Sequence, residues 1–132
     1  MRIGIAQTDG ALLVGEPRQA VLEQVLQEAA QNGAELVVFP ELFQSGYNVG
    51  TSVVTSSEPQ DGPFFAKVAA LCRHYGVAAF YGYVERFGDN VYNSAQLVGD
   101  TGASIANYRK RMLPPGFEPD YFTAGTKSTI ID

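Results

Sequence analysis

A glutamate at the end of an apolar run is the first residue whose position suits chemistry. Glu41 follows Phe39-Pro40 directly, after a segment typical of a strand that is covered on both faces. Catalytic groups of open α/β sheets gather at the carboxyl ends of strands, because loops there open a crevice. Pro40 lacks a backbone donor, so the chain must leave the sheet there and direct Glu41 into that crevice. We therefore predict a partly desolvated general base, and the alternative is a solvated loop glutamate.

A lysine and a second glutamate lie close together later in the chain. Lys110 ends a predicted strand, where an ammonium group is suited to stabilise negative charge on a reacting carbonyl oxygen. Glu118 lies eight residues further on, in a segment that prolines and a glycine stiffen. Taken alone, each has a plainer interpretation as a solvated surface charge. Because all three side chains leave one side of the predicted sheet, we expect Glu41, Lys110 and Glu118 to converge on one pocket.

The single cysteine is an obvious candidate nucleophile, but its surroundings argue against that role. Cys72 falls within a predicted helix, on the apolar face that also carries Val68 and Ala69. A thiol in such surroundings has a raised pKa and acts as a small hydrophobic group. His74 lies about 200° around the helix from Cys72, so it cannot activate the thiol. We therefore predict that Cys72 is structural, and a lone cysteine also excludes an internal disulfide.

Apolar periodicity and turn residues place these side chains on an α/β framework. The two predicted helices each begin near a proline and are followed by a glycine. Strands alternating with helices and then with tight turns indicate a mixed sheet on which the helices pack. The predicted strands are residues 2–7, 35–39, 77–85, 91–98, 103–109 and 127–131, the helices are 17–31 and 63–75, and the loops include 9–15, 41–61 and 113–125.

Composition excludes several classes of function. The formal net charge is −5 and the nine Lys and Arg residues are scattered, which disfavours binding to nucleic acid. No apolar run approaches the length of about twenty residues needed to cross a bilayer, so we predict no membrane association. The chain enters a predicted strand at once, which leaves no room for a signal peptide and indicates a cytoplasmic protein. No metal-ligand spacing or glycine-rich phosphate loop is present, so we expect neither metal nor cofactor.

Three segments, taken together, resemble the nitrilase superfamily of carbon–nitrogen hydrolases. The separation between a Phe-Pro-Glu and a Tyr-Arg-Lys motif is specific, whereas either motif alone is not. Further matching patterns lie along the whole chain in the expected order. The main segments are Val37-Val38-Phe39-Pro40-Glu41-Leu42-Phe43, Tyr108-Arg109-Lys110-Arg111-Met112-Leu113-Pro114 and Glu118, and the supporting ones are Ala6-Gln7, Ser45-Gly46-Tyr47 and Tyr92-Asn93-Ser94-Ala95.

The resemblance implies a fold and a set of roles. The fold would be an αββα sandwich that forms homodimers, with residues 1–132 as the N-terminal part of its single domain. Glu41 would be the general base, Lys110 the cation that stabilises the oxyanion, and Glu118 a supporting carboxylate. The family's cysteine nucleophile has no counterpart here, and we expect it about ten residues past Asp132, on a further segment or a separate chain.

The resemblance further implies hydrolysis of a small-molecule amide or N-carbamoyl compound through a thioester, which releases ammonia or an amine. Tyr47 and Phe117 either line the substrate pocket or pack the loops. A true nitrilase and a non-catalytic binding or assembly module are the alternatives, whereas a two-carboxylate glycosidase leaves Lys110 unexplained. We also expect one face of the sheet, including Val38, Phe80 and Leu97, to need cover from further polypeptide, so that residues 1–132 alone are inactive.

Overall fold

Five strands form one mixed sheet in chain order. The computed structural model describes residues 1–8, 16–47 and 50–129; the predicted loop at 9–15 and residues 130–131 of the predicted last strand lie outside these ranges. The first three strands are parallel, and the last two extend the sheet as antiparallel hairpins. The elements are β1 (Ile3–Ile5), α1 (Glu16–Gln31), β2 (Leu36–Val38), α2 (Ser52–Thr55), α3 (Pro63–Tyr75), β3 (Ala78–Phe87), β4 (Asn90–Val98), β5 (Ser104–Arg109) and α4 (Phe117–Tyr121).

Helices α1 and α3 pack side by side on one face of the sheet and enclose the main core. Leu22 and Leu26 of α1 and Val68 of α3 are fully buried against strand side chains such as Val37 and Ala79. Burial of this apolar surface is the main force that holds the helices on the sheet. The predicted mixed sheet with helices on one face is therefore confirmed.

Helix α3 has the bounds that its flanking residues predict. Pro63 occupies its first turn, and Gly76 ends it in the left-handed conformation, with φ 66°. Cys72 is fully buried in the core, and burial raises the pKa of its thiol to about 12. The predicted buried position of Cys72 is confirmed.

The opposite face of the sheet carries neither of the long helices: the short helices α2 and α4 pack there only around Val84, at one end of β3. Val38, Phe80 and Leu97 are half-buried there, and Ile5 on the edge strand is 71% exposed. This is the face for which we predicted a need for further cover. None of the described helices has the length and apolar content needed to span a bilayer.

Three local predictions were wrong. The segments predicted as irregular contain the short helices α2 and α4, whose single turns are too brief to produce a periodic pattern. Strands β1 and β2 have three residues each, shorter than predicted. Residues 127–129 form no strand: of these Lys, Ser and Thr residues only Thr favours strands, and none of the described strands pairs with them.

Candidate active site

The side chains of Glu41, Lys110 and Glu118 meet at one point, as predicted. Lys110 Nζ donates hydrogen bonds to Glu41 Oε1 at 2.8 Å and to Glu118 Oε1 at 2.7 Å. The ammonium group therefore lies between two carboxylates from distant parts of the chain. Their convergence is confirmed, and their catalytic roles stay a prediction.

Glu41 is positioned by an unusually close approach between two backbone segments. After β2, Phe39 N–H donates to Phe80 O at 2.8 Å and the chain then turns across β3. A Cβ at Gly82 would lie 2.3 Å from Leu42 N, so only glycine permits this approach. Leu42 has a positive φ of 51°, which a non-glycine residue rarely adopts. The turn therefore holds Leu42 in a strained backbone conformation next to Glu41, which is common at functional sites.

Gln44 fixes the far end of the same turn. Its main-chain N–H donates to Gly82 O at 3.1 Å, and its side-chain Oε1 accepts from Val84 N–H at 3.1 Å. The buried amide thus continues the pairing along β3 where the backbone of the turn has moved away. Sequence reasoning missed Gln44 and Gly82, because both act through contacts between distant segments.

Lys110 is held by main-chain bonds on both sides. Its N–H donates to Asn93 O at 2.8 Å, and its carbonyl accepts from Gly125 N–H at 2.8 Å. A Cβ at Gly125 would lie 2.2 Å from Arg109 O, so this second close approach also requires glycine. The backbone of Lys110 is therefore held by hydrogen bonds on both sides, as in a strand, although β5 ends one residue earlier.

A buried ion pair on the helix side of the sheet holds the residue before Lys110. Glu85 is 1% exposed and accepts from Ser94 Oγ at 2.6 Å, from Asn107 Nδ2 at 2.9 Å and from the Arg109 guanidinium. Burial raises the pKa of Glu85, but these hydrogen bonds outweigh it, so the pKa lies below its ordinary value. The Arg109 guanidinium also stacks on Tyr92, 4.2 Å from the ring centre.

Glu118 is the most buried member of the cluster. It lies on α4, 1% exposed, and its Oε1 accepts from Tyr47 OH at 3.1 Å as well as from Lys110. Its Oε2 is buried and forms no hydrogen bond with any residue that the structure describes. Partial burial and the bond to Glu118 raise the pKa of Tyr47, so the phenol stays protonated and acts as a donor.

The charge of Lys110 is stabilised by its two neighbours. Its side chain is 28% exposed, and this partial burial lowers its pKa. The hydrogen bonds to Glu118 and Glu41, with their negative charges, outweigh burial and raise the pKa above its ordinary value. Lys110 is therefore cationic throughout the range in which most enzymes work.

The environment of Glu41 differs from the prediction of a partly desolvated carboxylate. Its side chain is 44% exposed. The neighbouring Leu42 and Phe43 turn inward and are buried, so their apolar groups do not cover it. A cavity of about 340 Å³ opens beside it, and its walls include Phe39, Glu41, Phe80, Asn93, Tyr108 and Lys110.

Tyr47 and Phe117 lie next to Glu118 rather than on the walls of that cavity. Their rings are 5.8 Å apart, and Phe117 also packs against Phe122 at 5.9 Å. Phe117 thus belongs to a small apolar cluster with Leu42 and Val84 under the loops. Packing of the loops accounts for Phe117, and a role of either ring in binding substrate stays a prediction. Across the described ranges, no group of three or more His, Cys, Asp or Glu residues is placed to hold a metal.

Comparison with known proteins identifies the family of this chain. Residues 2–132 match the family model for carbon-nitrogen hydrolases. The chain is 42% identical over 106 residues to a protein of Pseudomonas protegens described as a hydrolase in the pqqF 5′ region, with 79% of this chain and 36% of that protein covered. It is 34% identical over 113 residues to a nitrilase of Pyrococcus abyssi, with 83% and 43% covered. The chain thus spans less than half the length of these relatives.

A solved amidase from Nesterenkonia sp. has the same fold. The two structures superpose with a TM-score of 0.86 at 24% identity, over 96% of this chain and 49% of the amidase. Another structure of that amidase shows acrylamide added at its active-site cysteine. The expected nitrilase-type α/β sandwich is confirmed by this match. From the family model and the relatives together, the chain belongs to the carbon-nitrogen hydrolase family.

Proposed function

We propose that this chain supplies the base and the oxyanion-stabilising cation of an enzyme that hydrolyses the carbon–nitrogen bond of a small amide or N-carbamoyl compound. The observation that carries the proposal is the Lys110 ammonium, 2.8 Å and 2.7 Å from carboxylate oxygens of Glu41 and Glu118 at the edge of an open cavity. The nucleophile is a cysteine on polypeptide outside this chain, since Cys72 is buried in the core. The active-site cysteine of the structurally similar amidase supports this assignment.

The reaction begins at Glu41. Its carboxylate takes the proton of the cysteine thiol, and the thiolate attacks the carbonyl carbon of the substrate. Lys110 and a backbone N–H stabilise the negative charge that develops on the carbonyl oxygen. Glu41 then returns the proton to the departing nitrogen, so ammonia or an amine leaves and a thioester remains. A water molecule, activated by Glu41, hydrolyses the thioester and regenerates the thiol.

Glu118 and Tyr47 hold Lys110 in the position that this role requires. A flexible lysine stem has no preferred direction of its own. The buried Glu118 carboxylate, which Tyr47 OH also contacts, provides a fixed anchor for the ammonium group. Lys110 can therefore face a developing oxyanion without being reoriented during the reaction, which is the condition for efficient electrostatic stabilisation.

Hydrolysis of a nitrile is the second candidate, and the similarity to the nitrilase of Pyrococcus abyssi favours it. The same base and cation would serve attack on a nitrile carbon. The two functions separate by substrate: release of ammonia from aliphatic amides, N-carbamoyl amino acids and nitriles is compared at equal concentration. A higher kcat/KM for amides or N-carbamoyl compounds supports the proposal, and a higher value for nitriles replaces it with the second candidate.

The roles of Glu41 and Lys110 are tested by substitution in the enzyme assembled with the cysteine-bearing polypeptide. Glu41→Gln keeps an acceptor for Lys110 but removes the base, so we expect kcat to fall by about 10³-fold. Lys110→Met should cost about 10²-fold. Lys67→Met is the matched control, because Lys67 pairs with Glu23 at 3.4 Å between the helices and should leave kcat within about twofold. Wild-type turnover by Glu41→Gln would refute the proposal.

The external nucleophile is tested with residues 1–132 alone. We expect no hydrolysis of any of the three substrate classes. The half-exposed apolar face of the sheet should also make the isolated chain associate, which the mass measured in solution reports. A stable monomer would contradict the packing argument, and hydrolysis that Glu41→Gln abolishes would contradict the external cysteine.

A further inference from the structure

Asn93 contacts the two key residues of the site, and the mechanism above gives it no part. It lies on β4, 3% exposed, and its Nδ2 donates to Glu41 Oε1 at 2.7 Å. Its main-chain carbonyl accepts the N–H of Lys110 at 2.8 Å. One buried residue thus fixes both the carboxylate of Glu41 and the backbone of Lys110.

The two donors that reach Glu41 meet the same oxygen atom. Lys110 Nζ lies 2.8 Å and Asn93 Nδ2 lies 2.7 Å from Oε1. Neither an ammonium group nor an amide nitrogen can accept a hydrogen bond, so a proton on Oε1 would face donors only. When Glu41 is protonated, Oε1 can still accept both bonds as a carbonyl oxygen if the proton lies on Oε2. The contacts therefore distinguish the two oxygens chemically.

Glu41 needs a directional partner because its side chain is 44% exposed. Within the described parts of the chain, its side chain is hydrogen-bonded by Lys110 and Asn93. An ammonium group on a flexible stem can donate a hydrogen bond to a carboxylate in many orientations. The planar amide of Asn93 is fixed on a buried strand, so it can donate to a carboxylate in far fewer orientations.

We propose that Asn93 is a positioning residue that orients the Glu41 carboxylate so that Oε2 alone takes and returns the proton. The inference rests on the proposed hydrolytic function and specifies the path of its proton. In the first step the S–H bond of the cysteine breaks and an O–H bond forms at Oε2. In the second step that O–H bond breaks and the proton forms an N–H bond on the leaving amine, so the proton count balances.

Asn93→Asp in the assembled enzyme is the test, because it keeps the shape of the side chain and removes the donor. A second carboxylate would then face Oε1 of Glu41, alongside the ammonium of Lys110, the carboxylate of Glu118 and the phenol of Tyr47. Two carboxylates at one site share a proton, so the acidic limb of the kcat/KM profile should move to higher pH. We expect kcat to fall about 10²-fold, with KM within about threefold, because the base is misdirected while the substrate still binds.

Gln96→Glu is the matched control for a buried acid on β4. Gln96 lies three residues further along the strand, fully buried on the helix side, and its amide contacts Tyr81 and Ser104. We expect this change to lower the melting temperature and to leave the acidic limb in place. A similar shift of that limb in Gln96→Glu would overturn the proposal, since the effect would then be general.

Asn93→Ala keeps the test decisive if the aspartate variant does not fold, because it introduces no charge. A lower kcat with KM within about threefold supports positioning, and kcat within about threefold of wild type overturns it. If the unsubstituted enzyme hydrolyses none of the substrates, the proposed function fails and this inference fails with it. If the unsubstituted enzyme is active and both Asn93 variants are unaffected, the inference alone fails.

Discussion

Gly82→Ala should damage the site through a single added methyl group. The backbone of Gly82 lies outside the left-handed region, so alanine adopts it without conformational strain. The effect comes from space alone: the new Cβ would lie 2.3 Å from Leu42 N, 2.8 Å from Glu41 Cα and 2.9 Å from Glu41 C. These are backbone atoms, which cannot rotate away.

The magnitude follows from the distance by which the turn must retreat. An ordinary contact of the new methyl group begins at about 3.4 Å, so Leu42 N must move by about 1 Å or more. Displacement of that size at a reacting group costs about 10²-fold in rate, and overpacking costs about 1–3 kcal/mol of stability. We therefore expect kcat/KM to fall about 10²-fold, and the free energy of unfolding to fall with it.

Gly4→Ala is the matched control for this measurement. Gly4 lies in β1 of the same sheet, and the nearest atom to a Cβ there is Val37 Cγ2 at 3.5 Å, an ordinary contact. Its stability should change by less than about 0.5 kcal/mol. The assays are substrate hydrolysis by the assembled enzyme and denaturant unfolding of both variants. Gly82→Ala with wild-type kcat/KM and unchanged stability would refute the argument that the close approach positions Glu41.

Two further predictions concern groups away from the reacting atoms. Cys72→Ala should cost about 1 kcal/mol of stability in denaturant unfolding and leave turnover near wild type; a loss beyond a hundredfold with the fold intact would identify Cys72 as the nucleophile. The lowered pKa of Glu85 means that its stabilising contribution is complete above the unfolded pKa, about 4.3, and is lost as pH falls through the folded value. The difference in melting temperature between wild type and Glu85→Gln should therefore stay constant above about pH 5 and shrink as pH falls below about 4.3, and a constant difference over the whole range would contradict the ion pair with Arg109.

Sequence patterns predicted the elements that carry their own local signals. Helix α3 is bracketed by Pro63 and Gly76, whose backbone preferences act within one turn of the helix ends. The meeting of Glu41, Lys110 and Glu118 followed from their places at strand ends and from the family motifs. Residues 127–129 show the opposite case, because Lys127 and Ser128 carry no strand signal of their own and none of the described strands pairs with this segment.

The supporting contacts depend on which residues face each other across the sheet, and no local signal encodes that. Gly82 looks like any strand glycine until the turn after Pro40 crosses β3. The segment Tyr92-Asn93-Ser94-Ala95 matches a family pattern, but its sequence does not indicate the partners of Asn93 and Ser94, which lie on other elements. The exposure of Glu41 was misjudged for the same reason, since its apolar neighbours along the chain turn away from it.

Because side chains alternate between the two faces along β4, the contacts of the site form only when β4 pairs with its neighbours in the correct register. Asn93 points to Glu41 on one face, whereas Tyr92 and Ser94 serve Arg109 and Glu85 on the other. A slip of one residue would exchange the faces and remove both sets of contacts together. Insertion of a single residue within β4 should therefore abolish activity. A shift of two residues should do the same, because it keeps the faces but moves Asn93 about 7 Å along the strand from Glu41. Transfer of this site to another sheet would therefore require a strand with the same alternation of faces and the same register before the individual side chains are introduced.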